Sequence, residues 1–349
     1  MTDATTAATL QSLSLERSTL SAPGLFQAAL AQLPPGGRIL RCTAFGLPAA
    51  QEPSCRALLR QAGQDDRIAW LLDPAGPGGL QLQYLEGFAP QPLTVDGVVL
   101  GHLYEDDAAR YCCLNALHDE PDLAPAGQTR RLYARLERAL QVAGMDFTDI
   151  RRTWFYLDDI LAWYGDFNAV RSEVFRRLGV FGRCIPASTG IGAANSRGSA
   201  LMLDVLAIRP KISAFSCAEA PSPLQGSALD YGSSFSRAMA IRNGDCRQLL
   251  ISGTASIDLQ GSTVFPTDCQ AQIERTLEVV AAMLAAQDLD WRDVNRAISY
   301  FRHAAHIPLY DKVCRRLGLP ELPLVSTALT VCRPDLLFEI ELDAVKARR

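Results

Sequence analysis

Pro323–Val345 reads PLVSTALTVCRPDLLFEIELDAV, and the fold turns on how this stretch is read. Two runs of β-forming residues, Val325–Cys332 and Leu336–Val345, flank Arg333-Pro334-Asp335, where the proline ring fixes φ and ends the first run. The second run alternates. Phe338, Ile340, Leu342 and Ala344 fall on one face and Glu339, Glu341 and Asp343 on the other, as a period of two demands. Like charges at that spacing repel. The three acids therefore fit either the solvated face of an antiparallel edge or a cavity wall that holds at least one of them protonated.

Moving outward, the same pattern occurs twice. PASTGI at 186–191 matches PLVSTA at 323–328, and ALMLDVLAI at 200–208 matches FEIELDAV at 338–345. MDFTDIRRTWFYL at 145–157 lines up with LDWRDVNRAISYF at 289–301, keeping Asp146/Asp290, Asp149/Asp293, Arg152/Arg296 and Tyr156/Tyr300. EVFRRLGV at 173–180 matches KVCRRLGL at 312–319, and the helical stretch from Gln128 matches that from Gln270. A spacing of about 140 residues is too long for a solenoid and means two domains of one fold. Each unit reads strand–strand–helix–strand–helix–strand–strand, an α+β layer in which a curved mixed sheet carries its helices on one face. Helices are expected at 128–143, 159–178 and 270–287, and residues 37–101 read as strands and turns. Aligning the final strands sets Glu341 against Asp204 and Glu339 against Met202. An acid kept in one copy and replaced by an apolar residue in the other is an asymmetry that sheet packing does not require.

The expected organisation is a flexible leader at 1–20, an N-terminal domain at 21–218, a Ser/Pro/Gly-rich linker at 219–232 and a C-terminal catalytic domain at 233–349. The chain has 349 residues, 48% hydrophobic and 21% charged, enough for a sizeable core. A net charge of −4 argues against nucleic acid or an anionic membrane as partner. No export signal and no spanning apolar run are evident, which places the protein in the cytoplasm. Ten cysteines are scattered without a C-x-x-C pair, and four histidines do not join them at metal-ligand spacing. We expect buried free thiols, no metal and no cofactor. No dinucleotide loop, Walker loop or G-x-S-x-G elbow is found.

A unit ordered this way, with ISGTASID ahead of its first helix, a D-x-x-D-V-x-R strand, an R-R-L-G helix end and FEIE at its close, resembles the RidA/YjgF (chorismate-mutase-like) family. The resemblance implies tandem RidA/YjgF-like domains, the N-terminal one degenerate, and it implies that Glu339 points into a ligand pocket. Val325 stands where that family carries its ligand-clamping arginine, which sets the chain apart from the imine deaminases. At full length the chain resembles the chorismatases, on RRTWFYLDDILAWYGDFNAVR at 151–171, PASTGIGAANSRG at 186–198, YGSSFSRAMAI at 231–241, LLISGTASIDLQGSTVFPTDCQAQIERTL at 249–277 and TVCRPDLLFEIELDAV at 330–345.

That resemblance implies chorismate as a small-molecule substrate and no cofactor. It also leaves a homotrimer or a monomer open, since RidA-like units associate as trimers. The implied reaction splits the enolpyruvyl ether into pyruvate and 3-hydroxybenzoate, with or without some 4-hydroxybenzoate. The alternatives are hydrolysis to a dihydroxycyclohexadiene carboxylate and RidA-type deamination. Protonating a vinyl ether near neutral pH needs a carboxylic acid whose pKa burial or a like charge has raised, and Glu339 has the neighbours. A dianion calls for cationic clamps. Arg302 is the first choice, followed by Arg152, Arg237 and Arg333, with Tyr231 as a donor. Cys332, seven residues before Glu339, is expected to share its cavity. The resemblance ties a cysteine there to the 3-hydroxybenzoate outcome, whereas Ala238 stands where glycine would accompany it.

Overall fold

Each helix pair in this chain carries an apolar stripe and each sheet an apolar face, and the two are matched three times. The computed structural model describes residues 10–16, 19–72, 76–244 and 246–347. The first unit comprises β1 (Gln11–Glu16), α1 (Ala22–Gln32), β2 (Arg38–Phe45), α2 (Glu52–Gln61), β3 (Ala69–Leu72) and β4 (Gly79–Leu85). The second runs β5 (Gln91–Val95), β6 (Val98–Glu105), β7 (Ala109–His118), α3 (Pro125–Val142), β8 (Ile150–Leu157), α4 (Ile160–Arg177), β9 (Ala187–Gly192), β10 (Ala194–Asn195) and β11 (Leu201–Pro210). The third runs β12 (Phe215–Ala220), β13 (Ala238–Asn243), β14 (Cys246–Ala255), α5 (Cys269–Ala285), β15 (Val294–Phe301), α6 (Ile307–Leu317), β16 (Leu324–Thr327) and β17 (Phe338–Ala347).

The sheets are ordered β1-β4-β2-β3-β10, β5-β6-β7-β11-β8-β9 and β12-β13-β14-β17-β15-β16. In each, one parallel pair (β2–β3, β8–β9, β15–β16) joins otherwise antiparallel strands. The paired aspartates found by sequence close a reciprocal capping box before β8 and before β15: Asp149 accepts from the Asp146 amide and Asp293 from the Asp290 amide.

The α+β expectation holds, with helices on one sheet face. The domain expectations need correction. Residues 11–16, placed in a leader, form β1 and pair with β4; residues 1–9, 17 and 18 lie outside the described residues. The stretch 21–218 holds two sheets, because residues 22–85 build a unit of their own, and α2 lies within 37–101, where only strands and turns were expected. Aligned on sheet order, this unit is a third copy, described from the counterpart of β14 onward. The linker at 219–232 is instead part of the third unit. Glu219 and Ala220 close β12, and Gln225 donates to the carbonyls of Ala255 and Ile257. The strand read over Val325–Cys332 stops at Thr327, since Thr330 leaves the sheet to bridge Gly192 of the second unit.

The helix-free faces meet around a pseudo-threefold axis in one shared core that includes Phe45, Tyr156, Tyr300 and Val325. Register makes Arg41, Arg152 and Arg296 equivalent, and likewise Gln81, Asp204 and Glu341. Each arginine crosses to the next unit. Arg41 pairs with Asp204 at 2.7 Å, Arg152 with Glu341 at 2.7 Å, and Arg296 donates to Gln81 at 2.9 Å while also binding Glu341 and Asp343. Removing one member of so buried a set costs about 3–5 kcal/mol, because it strands the partner's charge.

Candidate functional site

The acids on β17 are not on a solvated edge. β17 is a central strand, and Glu339, Glu341 and Asp343 are 5%, 0% and 5% exposed. Their fates diverge along the strand. Glu341 accepts from Arg152, Arg296, the Trp154 indole (3.0 Å) and the Thr189 hydroxyl. Burial alone would raise its pKa, but Arg296, Arg152 and Arg41 outweigh it and hold the group down at about 2. Asp343 is engaged by Arg296. Glu339 has no hydrogen-bond or ion-pair partner among the described residues. Burial, reinforced by the charge of Glu341 and only partly opposed by Arg152 and Arg237, raises its pKa to about 8.

Glu339 faces a cavity between the second and third units. The second unit contributes Tyr164 and Arg171 from α4 and Ser188 and Gly190 from β9; the third adds Tyr231, Phe235, Arg237, Gly253, Cys332 and Arg333. The walls are tied across the junction. The edge of β9 bridges Ser236 and Thr330, and the Ser188 amide donates to Ser252. Buried Gln272 of α5 donates to the Asp335 carbonyl and accepts from the Leu337 amide, which fixes where β17 begins. The free space enclosed is about 50 Å3, so a ring-sized ligand requires the covering segments to move.

Two rings thread three guanidinium groups here. Tyr231 lies 5.4 Å from Arg237 and 4.9 Å from Arg333, and Phe235 lies 5.6 Å from Arg237 and 5.9 Å from Arg171. Among the described residues none of the three pairs with a carboxylate. Arg171 donates to Asn168, Arg237 to the Gly226 carbonyl and Arg333 to the Gly261 carbonyl. Arg171 Nε and Arg237 Nη2 are buried with no acceptor among the described residues. Orphaned cationic donors in a dry site are the chemistry of an anion receptor.

The sequence-predicted residues divide accordingly. Glu339, Cys332, Arg237, Arg333 and Tyr231 line the cavity together. Arg302, the first choice as clamp, does not; it lies beyond β15 and donates to the Arg333 carbonyl from outside the lining. Arg152 is fully buried in the axial network with Glu341 and is not free to bind a ligand. Ala238 points into the helix-side core, and the small residues against the cavity are Gly190, Gly253 and Ala255. Val325 is core. Burial, then Glu339, pushes the Cys332 thiol up to about 12, so it is a neutral donor rather than a thiolate. Tyr231 is likewise raised by burial and stays a phenol.

Sequence reasoning missed Arg171, Tyr164 and Gly253. Arg171 sits on a helix whose apolar stripe dominated its reading. The internal alignment sets it against Tyr310, the same kind of asymmetry that singled out Glu339. Gly253 matters through absence. A Cβ there would overlap Glu339 Oε1 and lie 2.9 Å from its Cδ. Among the described residues no group of three or more His, Cys, Asp or Glu could hold a metal ion.

Three units of like sheet order close on one axis, and one junction sets a carboxyl of raised pKa beside arginines without a carboxylate partner among the described residues. Residues 97–207 match the family model described as chorismatase FkbO/Hyg5-like, N-terminal. The chain is 28% identical over 240 residues (61% of this chain, 68% of the relative) to a 3-hydroxybenzoate synthase of Streptomyces hygroscopicus. It is 28% identical over 225 residues (57% and 65%) to a chorismatase of Streptomyces rapamycinicus. A chorismatase crystal structure superposes with a TM-score of 0.66 at 18% identity, covering 97% of this chain and 100% of that one. The chain is thus similar to chorismatases in one domain model, in sequence over more than half its length, and in fold.

Proposed function

We propose that this protein cleaves the enolpyruvyl ether of chorismate to pyruvate and 3-hydroxybenzoate. The observation that carries the reading is Glu339: a buried carboxyl with its pKa raised to about 8, facing a cavity with three uncompensated arginines. At pH 7 such an acid is protonated in roughly nine molecules of ten. It gives its proton to the terminal carbon of the vinyl ether, and the carboxylate left behind faces the oxocarbenium ion it has made. Arg171, Arg237 and Arg333 take the two substrate carboxylates, with the Tyr231 and Tyr164 phenols as further donors. Burial, reinforced by the charge of Glu341, keeps Glu339 protonated.

The third unit, with Glu339 and Cys332, supplies the acid, and the second unit supplies Arg171 and Tyr164. The arene-forming outcome is favoured over the hydrolytic one by the little room left for water and by Cys332 beside the acid. It also agrees with the relative named 3-hydroxybenzoate synthase. Nine free thiols, Cys246 left aside, fit a reducing, cytoplasmic setting.

The test is incubation with chorismate, pyruvate read by a coupled dehydrogenase and the ring product identified by chromatography. Glu339→Gln is expected to lower kcat by about a thousandfold or more with an unchanged circular dichroism spectrum. A folded variant that retains turnover dismisses the acid role.

A further inference from the structure

The junction between the second and third units carries a second chemistry that the acid cavity does not use. Cys184, in the segment between α4 and β9, and Cys217, on β12, come from different units, and both pack half-buried against the shared core. Register brings them together. Cys217 lies opposite Ile241 and Glu219 opposite Met239, so these four side chains share one face of the β12–β13 ladder. Cys184 is laid onto that face: its Sγ stands 3.9 Å from Met239 Sδ, and the next amide, that of Ile185, donates to Glu219 Oε1 at 2.8 Å. The Ser236 amide donates to the Pro186 carbonyl at 3.0 Å, so the segment is pinned from a second side.

One cation serves both thiols. The guanidinium of Arg151 on β8 is 6% exposed and has no carboxylate partner among the described residues. It reaches both sulfurs, and its charge and its N–H groups favour the thiolate of each, although burial still holds both above the ordinary thiol pKa. A guanidinium beside the sulfurs opposes a bound metal cation and supports a sulfur that must carry negative charge while it reacts. Cys42 and Cys55 are also neighbours, but both are 0% exposed within the core of the first unit, out of reach of an oxidant.

We propose that Cys184 and Cys217 form a reversible disulfide when the chain meets a peroxide, fastening the second unit to the third at the junction that holds Glu339. One thiolate attacks a peroxide oxygen; the S–O bond forms, the O–O bond breaks, hydroxide leaves and the sulfur becomes a sulfenic acid. The other thiol attacks that sulfur; the S–S bond forms, and the sulfenic hydroxyl leaves with the thiol proton as water. Two electrons pass from the thiols to one peroxide, which ends as two waters. In a reducing compartment such a bond is transient.

The modification does not depend on the proposed reaction, and its test needs no turnover. The reduced full chain is treated with hydrogen peroxide at about pH 8, blocked with N-ethylmaleimide under denaturing conditions, and read by intact mass and peptide mapping. Expected are two alkylatable thiols lost first, a linked peptide pair carrying Cys184 and Cys217, an unchanged circular dichroism spectrum and full recovery with dithiothreitol. Cys184→Ser and Cys217→Ser should each abolish the pair and leave the remaining thiol as a sulfenic acid that dimedone traps. Other cysteines linked in place of this pair, sulfinic acid at either position without a link, or a link that forms only in denaturant overturns the proposal.

Discussion

At the scale of single residues, the site is a matter of which acid on β17 is left without a partner. Glu341 has four donors and Glu339 none among the described residues, so two acids of one strand face are pushed in opposite directions, Glu341 down and Glu339 up. The proposed acid must be protonated to act, so kcat/KM should be flat below pH 7 and fall with unit slope as pH rises through about 8. The same shift bears on stability. A carboxyl whose folded pKa exceeds its unfolded value stabilises fully below the unfolded pKa and loses that contribution as pH rises through the folded one. Glu339 therefore weighs against the fold at pH 7. Glu339→Gln should raise Tm at pH 7, equivalent to about 1–3 kcal/mol, with the gain gone near pH 4.5, and thermal melts across that window read it directly. Gly253 sets where the carboxyl lies. Gly253→Ala puts a methyl into the space of Glu339 Oε1 and should cost about a hundredfold in kcat/KM. It should also move the alkaline limb to lower pH, because a displaced carboxyl is better solvated. An unmoved limb in a folded variant denies Gly253 any part in seating the acid.

Among the elements, what the sequence disclosed followed periodicity and repetition. The alternation of Phe338–Ala344 identified β17, and matched aspartates, R-R-L-G ends and final strands marked the second and third units as copies. The first unit escaped because Gln81 and Gln83 stand where the third unit has its axial acids, and its two short helices begin among Pro, Gly and Ser. The cavity was half legible. Cys332, Arg333 and Glu339 are neighbours in the chain, whereas Arg171 reaches them only because β9 docks beside β14. Arg302 and Arg152 were attractive as cations near strand ends, but position along a strand does not tell a ligand clamp from an axial ion pair. The segments that close the cavity are 221–236 and 258–264: Tyr231 packs on Gly261, Arg333 clasps the Gly261 carbonyl, Gln225 holds the Ala255 and Ile257 carbonyls, and Ser234 meets Ser172. With about 50 Å3 enclosed, they must open to admit a ring acid. Hydrogen exchange in these two segments should slow on adding 3-hydroxybenzoate while that of α3 stays unchanged; equal exchange with and without it places the ring acid elsewhere.

For the whole molecule, the decisive property is closure. The resemblance to RidA-like proteins leaves trimer and monomer open, and the two differ in where the three junctions lie. Here β9 meets β14, β16 meets β1, and β3 meets β7 within one chain. The axial arginines Arg41, Arg152 and Arg296 each cross one of those junctions. A sheet edge already met by its neighbour offers no strand to another copy. The buried arginines likewise have their partners at home, and no junction is left for a second chain to complete. Divergence of the copies follows, since three junctions encoded by one gene can be changed one at a time. One junction keeps an acid facing arginines, one has Met202 fully buried at the Glu339 position, and one is lined by Glu16, Asp311 and Glu321. A symmetric trimer would carry any such change at all three. The chain is therefore expected to run as a single species near 38.0 kDa in light scattering behind size exclusion, with no growth in mass as concentration rises. Arg152→Met should lower Tm by breaking the axial ring, without producing a larger species. A mass about three times as great would mean that other surfaces drive assembly and that closure within the chain does not set the oligomeric state.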